Sequence, residues 1–136
     1  MAIGKIVVND DLCTGCRMCE QICSMNFTKN EINPQRSNIR VKTNALIAYD
    51  KPVVCDQCEE RYCIEACPFE AINENEKTGS LEINKEDCTG CWLCVDACPQ
   101  NAVFKDLINN VAMKCQLCGG EPQCIKVCTM KAITFK

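Results

Sequence analysis

The residues able to do chemistry in this chain are its thiols, and they come in four quartets. Cys13, Cys16, Cys19 and Cys23 lie in "CTGCRMCEQIC", and Cys88, Cys91, Cys94 and Cys98 in "CTGCWLCVDAC"; both are spaced C-x2-C-x2-C-x3-C. Cys55, Cys58, Cys63 and Cys67 form a second quartet with four residues in the middle gap. Cys115, Cys118, Cys124 and Cys128 form a fourth, with five. Three thiolates at i, i+3 and i+6 let a tight loop wrap one face of a 4Fe-4S cubane while its amides point at the sulfurs. The fourth thiol lies one residue further on, where the chain has turned into a helix, and in two-cluster proteins it ligates the other cluster. Four repeats of this spacing predict four 4Fe-4S clusters, with all sixteen cysteines as iron ligands.

Two other uses of cysteine compete with this one. Four-cysteine zinc sites bring together two C-x2-C knuckles and need no third thiol at i+6. A zinc-binding interaction protein is therefore the remote alternative. Disulfides persist in oxidising compartments, and "MAIGKIVVND" has neither the apolar run nor the cleavage site of a secretory signal. No stretch approaches the ~18 apolar residues of a membrane span. The expected location is the cytoplasm.

Composition narrows the function further. There is no histidine, which removes the usual acid–base catalyst and haem ligand. No catalytic residue is identified, and the protein is expected not to be an enzyme by itself. The net charge of −3 and the lack of a basic run argue against nucleic acid. One Trp, two Tyr and four Phe make a thin core, which four cubanes would fill. Each four-thiolate cluster adds about −2, taking the charge to about −11. Arg17, Lys114 and Lys126, beside cysteines, are then candidates to offset that charge, although each could equally be an ordinary solvated cation. Trp92, between Cys91 and Cys94, is expected to pack over its cluster and exclude water.

The elements that must position these thiols are short. "KIVVN", "AIN", "SLEIN", "AVF", "NVAM" and "AITF" read as strands. "AINENEKTGSLEIN" reads as a hairpin turning near Lys77–Gly79, and "VFKDLINNVAM" as another turning near Asn109 and Asn110. The residues between the last two cysteines, such as "EQI" and "IEA", suit a single helical turn. "ACPFEAI", "ACPQNAV" and "VCTMKAI" repeat an Ala and a β-branched residue at one offset from the last Cys. The fold class expected is α+β: two ferredoxin-like modules of short hairpins and helices packed around four clusters. Residues 1–27 with 105–136 make one module, 51–104 the other, and 28–50 an insertion loop. Within that longest gap "NIRVKTN" alternates like a strand, and the insertion is either a surface excursion or a docking element for a partner.

Pairing of quartets follows from the residues after the fourth cysteines. Pro68 and Pro99 follow motifs two and three, whereas Ser24 and Thr129 follow one and four. This favours a nested scheme. Cys13, Cys16, Cys19 and Cys128 hold one cluster, and Cys115, Cys118, Cys124 and Cys23 the next. Cys55, Cys58, Cys63 and Cys98 hold a third, and Cys88, Cys91, Cys94 and Cys67 the fourth. A sequential scheme, one with two and three with four, remains open.

The motif order, the widened gaps of motifs two and four, and "CTGCRMCEQICS" followed by "NPQRSNIRV" resemble iron–sulfur electron-transfer subunits of the dimethyl sulfoxide reductase type. In size the chain is similar to the small polyferredoxin subunits that accompany tungsten aldehyde oxidoreductases and carbon monoxide dehydrogenases. The resemblance implies nested ligation and single-electron relay between a catalytic subunit and an acceptor, a ferredoxin or flavin subunit. It favours a tungsten or molybdenum aldehyde oxidoreductase as partner. A carbon monoxide dehydrogenase, hydrogenase or formate dehydrogenase is an alternative, as is a free diffusible polyferredoxin; self-association, with copies joined end to end, is compatible with either. The chain is shorter than the larger members and lacks their C-terminal extension, which favours a soluble complex.

Overall fold

The structure, a computed structural model, describes residues 4–29 and 31–136. The chain runs β1 (Ile6–Val8), α1 (Met18–Thr28), β2 (Ile39–Asn44), β3 (Tyr49–Val54), α2 (Tyr62–Ala66) and β4 (Ile72–Glu74). It then runs β5 (Leu81–Ile83), α3 (Leu93–Ala97), β6 (Val103–Asp106), β7 (Val111–Lys114), α4 (Gln123–Val127) and β8 (Ile133–Phe135). The second six elements repeat the order of the first six. All strand pairs are antiparallel and two-stranded: β1 with β8, β2 with β3, β4 with β5, and β6 with β7. The fold is a small α+β arrangement of hairpins and short helices, as the sequence implies.

The two halves close on each other in a pseudo-two-fold topological relation. The first strand of each half pairs with the last strand of the other, so the chain's terminal strands β1 and β8 lie together and β4 and β5 form the matching sheet. Helix α1 packs on α4, and α2 on α3. Apolar residues fill what lies between: Ile39, Leu81 and Ile133 of the strands and Leu117 of the fourth cysteine loop are all but inaccessible to solvent. Among the described aromatic residues only Phe104 is buried. The aliphatic core is as thin as the composition suggests.

Two expectations need correction. Residues 28–50 are not a loop: most of the stretch is a 3-10 turn at Pro34–Arg36 and the β2–β3 hairpin, which continues to Val54. "NIRVKTN" pairs with "YDKPVV" from Ile39↔Val54 to Asn44↔Tyr49, because its alternation gives one apolar face that the core can cover. Pro52 is tolerated within β3 because each strand of a two-stranded sheet is an edge. The helix of motif one is also longer than a single turn, continuing to Thr28.

Four thiol-lined cavities and the family they define

Three of the four cysteine loops end in a left-handed residue that swings the chain into a helix. Arg17 (φ 62°), Arg61 (φ 53°) and Trp92 (φ 64°) are the N-caps of α1, α2 and α3. Each stands two residues before the third cysteine of its motif, the point where loop gives way to helix. In motif four the left-handed steps fall earlier, at Leu117–Gly120, which absorbs the longer middle gap. Gly15 and Gly90 (both φ +74°) are required where the facing hairpin turns press on the loops. A Cβ at Gly15 would stand 2.7 Å from Asp50 Oδ1, and one at Gly90 2.5 Å from the Asn110 carbonyl oxygen.

The sixteen thiols line four separate cavities. Cys13, Cys16, Cys19 and Cys128 share one, and Cys23, Cys115, Cys118 and Cys124 another. Cys55, Cys58, Cys63 and Cys98 share a third, and Cys67, Cys88, Cys91 and Cys94 the fourth. In every cavity the first three cysteines of one motif meet the last cysteine of another. Among the described residues no group of three His, Cys, Asp or Glu side chains converges closely enough for a single metal ion. The thiols stand around a space rather than a point, and that donor set fits a cubane. The largest surface groove, between β1, β3 and the loop at Pro99, contains no cysteine.

Backbone amides point at the sulfurs as the loop argument requires. Asn38 N–H donates to Cys23 Sγ (3.2 Å), Gln57 to Cys55 (3.3 Å) and Ala112 to Cys88 (3.3 Å). Ala71, Ala102 and Leu117 N–H donate to Cys67, Cys98 and Cys115 at 3.4 Å each. Burial pushes the thiols up: Cys19 and Cys115 to about 12 and Cys94 to about 11. These thiols hold their protons at neutral pH until a metal displaces them.

Neighbouring cavities share elements. Helix α1 carries Cys19 to one cavity and Cys23 to the next, and the adjacent residues Val54 and Cys55 line the Cys115 and Cys55 cavities. Cys63 and Cys67, at the two ends of α2, line the Cys55 and Cys88 cavities. The order along these shared walls is the Cys13 cavity, the Cys115 cavity, the Cys55 cavity and the Cys88 cavity. Fourteen of the sixteen thiols are buried or half-buried, and the two exposed ones, Cys16 and Cys91, belong to the two end cavities.

The side chains singled out beside the cysteines behave differently from one another. Trp92 lines the Cys88 cavity as expected, with Lys105 over its ring. Arg17 pairs with Glu20 at 3.0 Å and reaches Thr43. Lys126 is an exposed cation 3.9 Å from Glu121. Lys114 is fully buried and lines the Cys55 cavity. The β2–β3 hairpin, unassigned in the sequence beyond an insertion, covers the first cysteine loop through Gly15–Asp50, Arg17–Thr43 and a hydrogen bond from Tyr49 to Asp10. Nothing in the sequence marks those partners, which lie far apart in the chain.

Comparison with known proteins agrees with this architecture. Residues 47–136 match the 4Fe-4S dicluster domain family and residues 10–26 a 4Fe-4S binding domain. The aliphatic sulfonate oxidoreductase polyferredoxin-like subunit of Pyrococcus furiosus is 37% identical over 123 residues, 90% of this chain and 70% of that protein. One of the polypeptides of the polysulfide reductase of Wolinella succinogenes is 29% identical over 96% of this chain and 74% of its own length. The active site complex BamBC of benzoyl coenzyme A reductase contains a polypeptide that superposes with a TM-score of 0.60 and 26% identity, covering 98% of this chain and 76% of that one. No helix among the described residues is long and apolar enough to cross a membrane. Sixteen cysteines in four cavities fit four 4Fe-4S clusters, and this protein belongs to the 4Fe-4S dicluster family of iron–sulfur electron-transfer proteins.

Proposed function

We propose that the protein is the electron-wire subunit of a larger oxidoreductase, each cavity quartet holding one 4Fe-4S cluster in the nested scheme. The observation that carries this reading is the line of four thiol-walled cavities with exposed thiols only at its two ends. Bound there, the clusters would supply one-electron redox chemistry. The chain's own residues do the rest. Thiols fix the spacing, amides donate to sulfur, and apolar side chains of β1, β2, β3, β5 and β6 keep water from the two inner cavities. Cys16 and Cys91 place the two ends of the line at the surface, one toward a catalytic subunit and the other toward an acceptor.

The relatives support a subunit role, since the Pyrococcus furiosus protein is named as a subunit of an aliphatic sulfonate oxidoreductase. The partner proposed is a tungsten or molybdenum enzyme of the aldehyde oxidoreductase kind, in keeping with the motif order of the chain; its acceptor is a ferredoxin or flavin subunit. The test is anoxic purification of the untagged protein from its own cells, with metal analysis of whatever accompanies it. The expected result is a stoichiometric larger subunit containing tungsten or molybdenum, with about sixteen irons per copy of this chain and no zinc. A protein that migrates alone with the same iron is a diffusible polyferredoxin, and one that carries zinc is not an electron carrier.

A further inference from the structure

The pseudo-two-fold relation makes the two inner cavities counterparts, so their walls can be compared residue by residue. Ile6 in β1 answers to Leu81 in β5, Ile39 to Val103, and Asn38 to Ala102, whose amides donate to Cys23 and Cys98 respectively. The residue before the first cysteine of the partner motif also lines each cavity. It is Val54 for the Cys115 cavity and Lys114 for the Cys55 cavity. The next counterparts, two residues after that cysteine, are Leu117 and Gln57. Each couple therefore draws one residue from each half: Val54 with Leu117 is apolar, where its counterpart, Lys114 with Gln57, is polar.

Lys114 is 1% exposed. Its Nζ donates to the Leu81 carbonyl (2.6 Å), the Cys115 carbonyl (3.0 Å) and Gln57 Oε1 (3.3 Å). Three hydrogens meet three acceptors, the full donor capacity of an ammonium group. Gln57 is fixed in turn, donating to the Cys115 carbonyl (2.8 Å) and accepting from the Leu81 amide (2.9 Å). Among the described residues no carboxylate lies within ion-pair distance of Nζ. A buried cation without a counter-charge is costly, and the anionic groups that face it are the thiols of the Cys55 cavity. Its charge acts on Cys55 and Cys63, where only burial outweighs it, and it also reaches Cys115 of the adjoining cavity.

We propose that Lys114 is a potential-setting residue: it makes the cluster held by Cys55, Cys58, Cys63 and Cys98 easier to reduce than its counterpart at Cys115, Cys118, Cys124 and Cys23. The inference rests on the ligand assignment proposed above. Each one-electron reduction takes a four-thiolate cluster from about −2 to about −3, and a fixed ammonium in a low-dielectric wall favours the more negative state. Val54 offers the counterpart no such charge. The wire then has an electron-holding station at one inner position and a more reducing one beside it.

The experiment is a redox titration of the iron-loaded full chain, followed by electron paramagnetic resonance. Cys58→Ser and Cys118→Ser each alter or abolish one signal and so identify the two inner clusters. In the unmodified protein, the signal identified by Cys58→Ser is expected to have the higher midpoint of the two. Lys114→Gln, which keeps hydrogen-bond donors but loses the charge, lowers that midpoint more than any other, and Lys114→Arg retains it. A reversed order, a Lys114→Gln protein with all midpoints unmoved, or one in which all four move together overturns the inference. The unmodified comparison stands even if Lys114→Gln does not load iron. If Cys58→Ser and Cys98→Ser alter different signals, the ligand assignment fails instead, whatever Lys114 does.

Discussion

A thiol in these quartets is held between opposing demands, because burial favours the neutral form while a metal ligand must lose its proton. Amide donors at 3.2–3.4 Å, such as those to Cys23 and Cys98, favour the thiolate. The spacing of these thiols is readable directly, and the residue after each fourth cysteine hints at the crossovers. The crossover itself is the sharpest test. Cys23→Ser should perturb the same resonance signal as Cys118→Ser, because Cys23 lines the cavity of Cys115, Cys118 and Cys124. If Cys23→Ser instead perturbs the signal that Cys58→Ser perturbs, the pairing is sequential. The repeated alanine is also visible in the sequence, but its reason is not: Ala71, Ala102 and Ala132 are almost wholly buried, and two of their amides donate to cysteine sulfur. No larger side chain fits without displacing that amide. Ala102→Val is expected to cost about 1–3 kcal/mol through overpacking, seen as faster bleaching of the iron–sulfur absorbance in denaturant.

At the scale of elements, strands with clear alternation are legible, but what they touch is not. "NIRVKTN" reads as a strand, yet its mate "YDKPVV" contains a proline and does not alternate cleanly, so the hairpin is hidden from a reading by pattern. The 3-10 turn before β2 is tied to the other half of the molecule by Arg36, whose guanidinium lies 3.1 Å from the buried Asp106 at the end of β6. Burial pushes the Asp106 carboxyl up, but hydrogen bonds from the Asn109 side chain and amide and from Arg36 outweigh it and leave it below the usual range. A depressed carboxyl contributes stability above its unfolded value of about 3.9, and that contribution is lost as pH falls through the still lower native value. The holoprotein should therefore lose this tie only in strong acid, and Asp106→Asn should flatten that part of the acid profile of cluster bleaching. Asp106→Ala leaves the half-buried Arg36 with only Glu31, at 3.7 Å, as counter-charge and is expected to cost about 1–3 kcal/mol at neutral pH. Equal acid sensitivity in Asp106→Asn and the unmodified protein would remove Asp106 from that role.

For the molecule as a whole, the sequence displays four quartets but hides the two-fold relation that organises them. Motif three follows motif one, and motif four follows motif two, at different separations, because the β2–β3 hairpin and the loops around it lengthen the first half. The relation emerges only when β1 is seen beside β8 and β4 beside β5. It also shows where the fold's weakness lies. Every sheet has two strands, and isolated two-stranded hairpins are marginal in water. The helices α2, α3 and α4 have five residues each, too few to be stable alone. What joins them is a thin aliphatic core interrupted by four cavities whose walls are thiols. With iron bound, each cavity becomes a crosslink joining two motifs far apart in sequence, and metal binding becomes folding free energy. Complete iron removal by a chelator under anoxic, reducing conditions is thus expected to collapse amide dispersion in NMR spectra and abolish cooperative unfolding. Reconstitution with iron and sulfide should restore both. Removing one crossover ligand at an end, as in Cys128→Ser, should loosen the β1–β8 sheet first, because Cys128 lies just before β8 and is the bond that ties it to the first motif. Hydrogen exchange would show this as protection lost at Ile133–Phe135 while β4 and β5 keep theirs. Equal loss in both sheets would mean that the four cavities hold the fold as one unit rather than station by station.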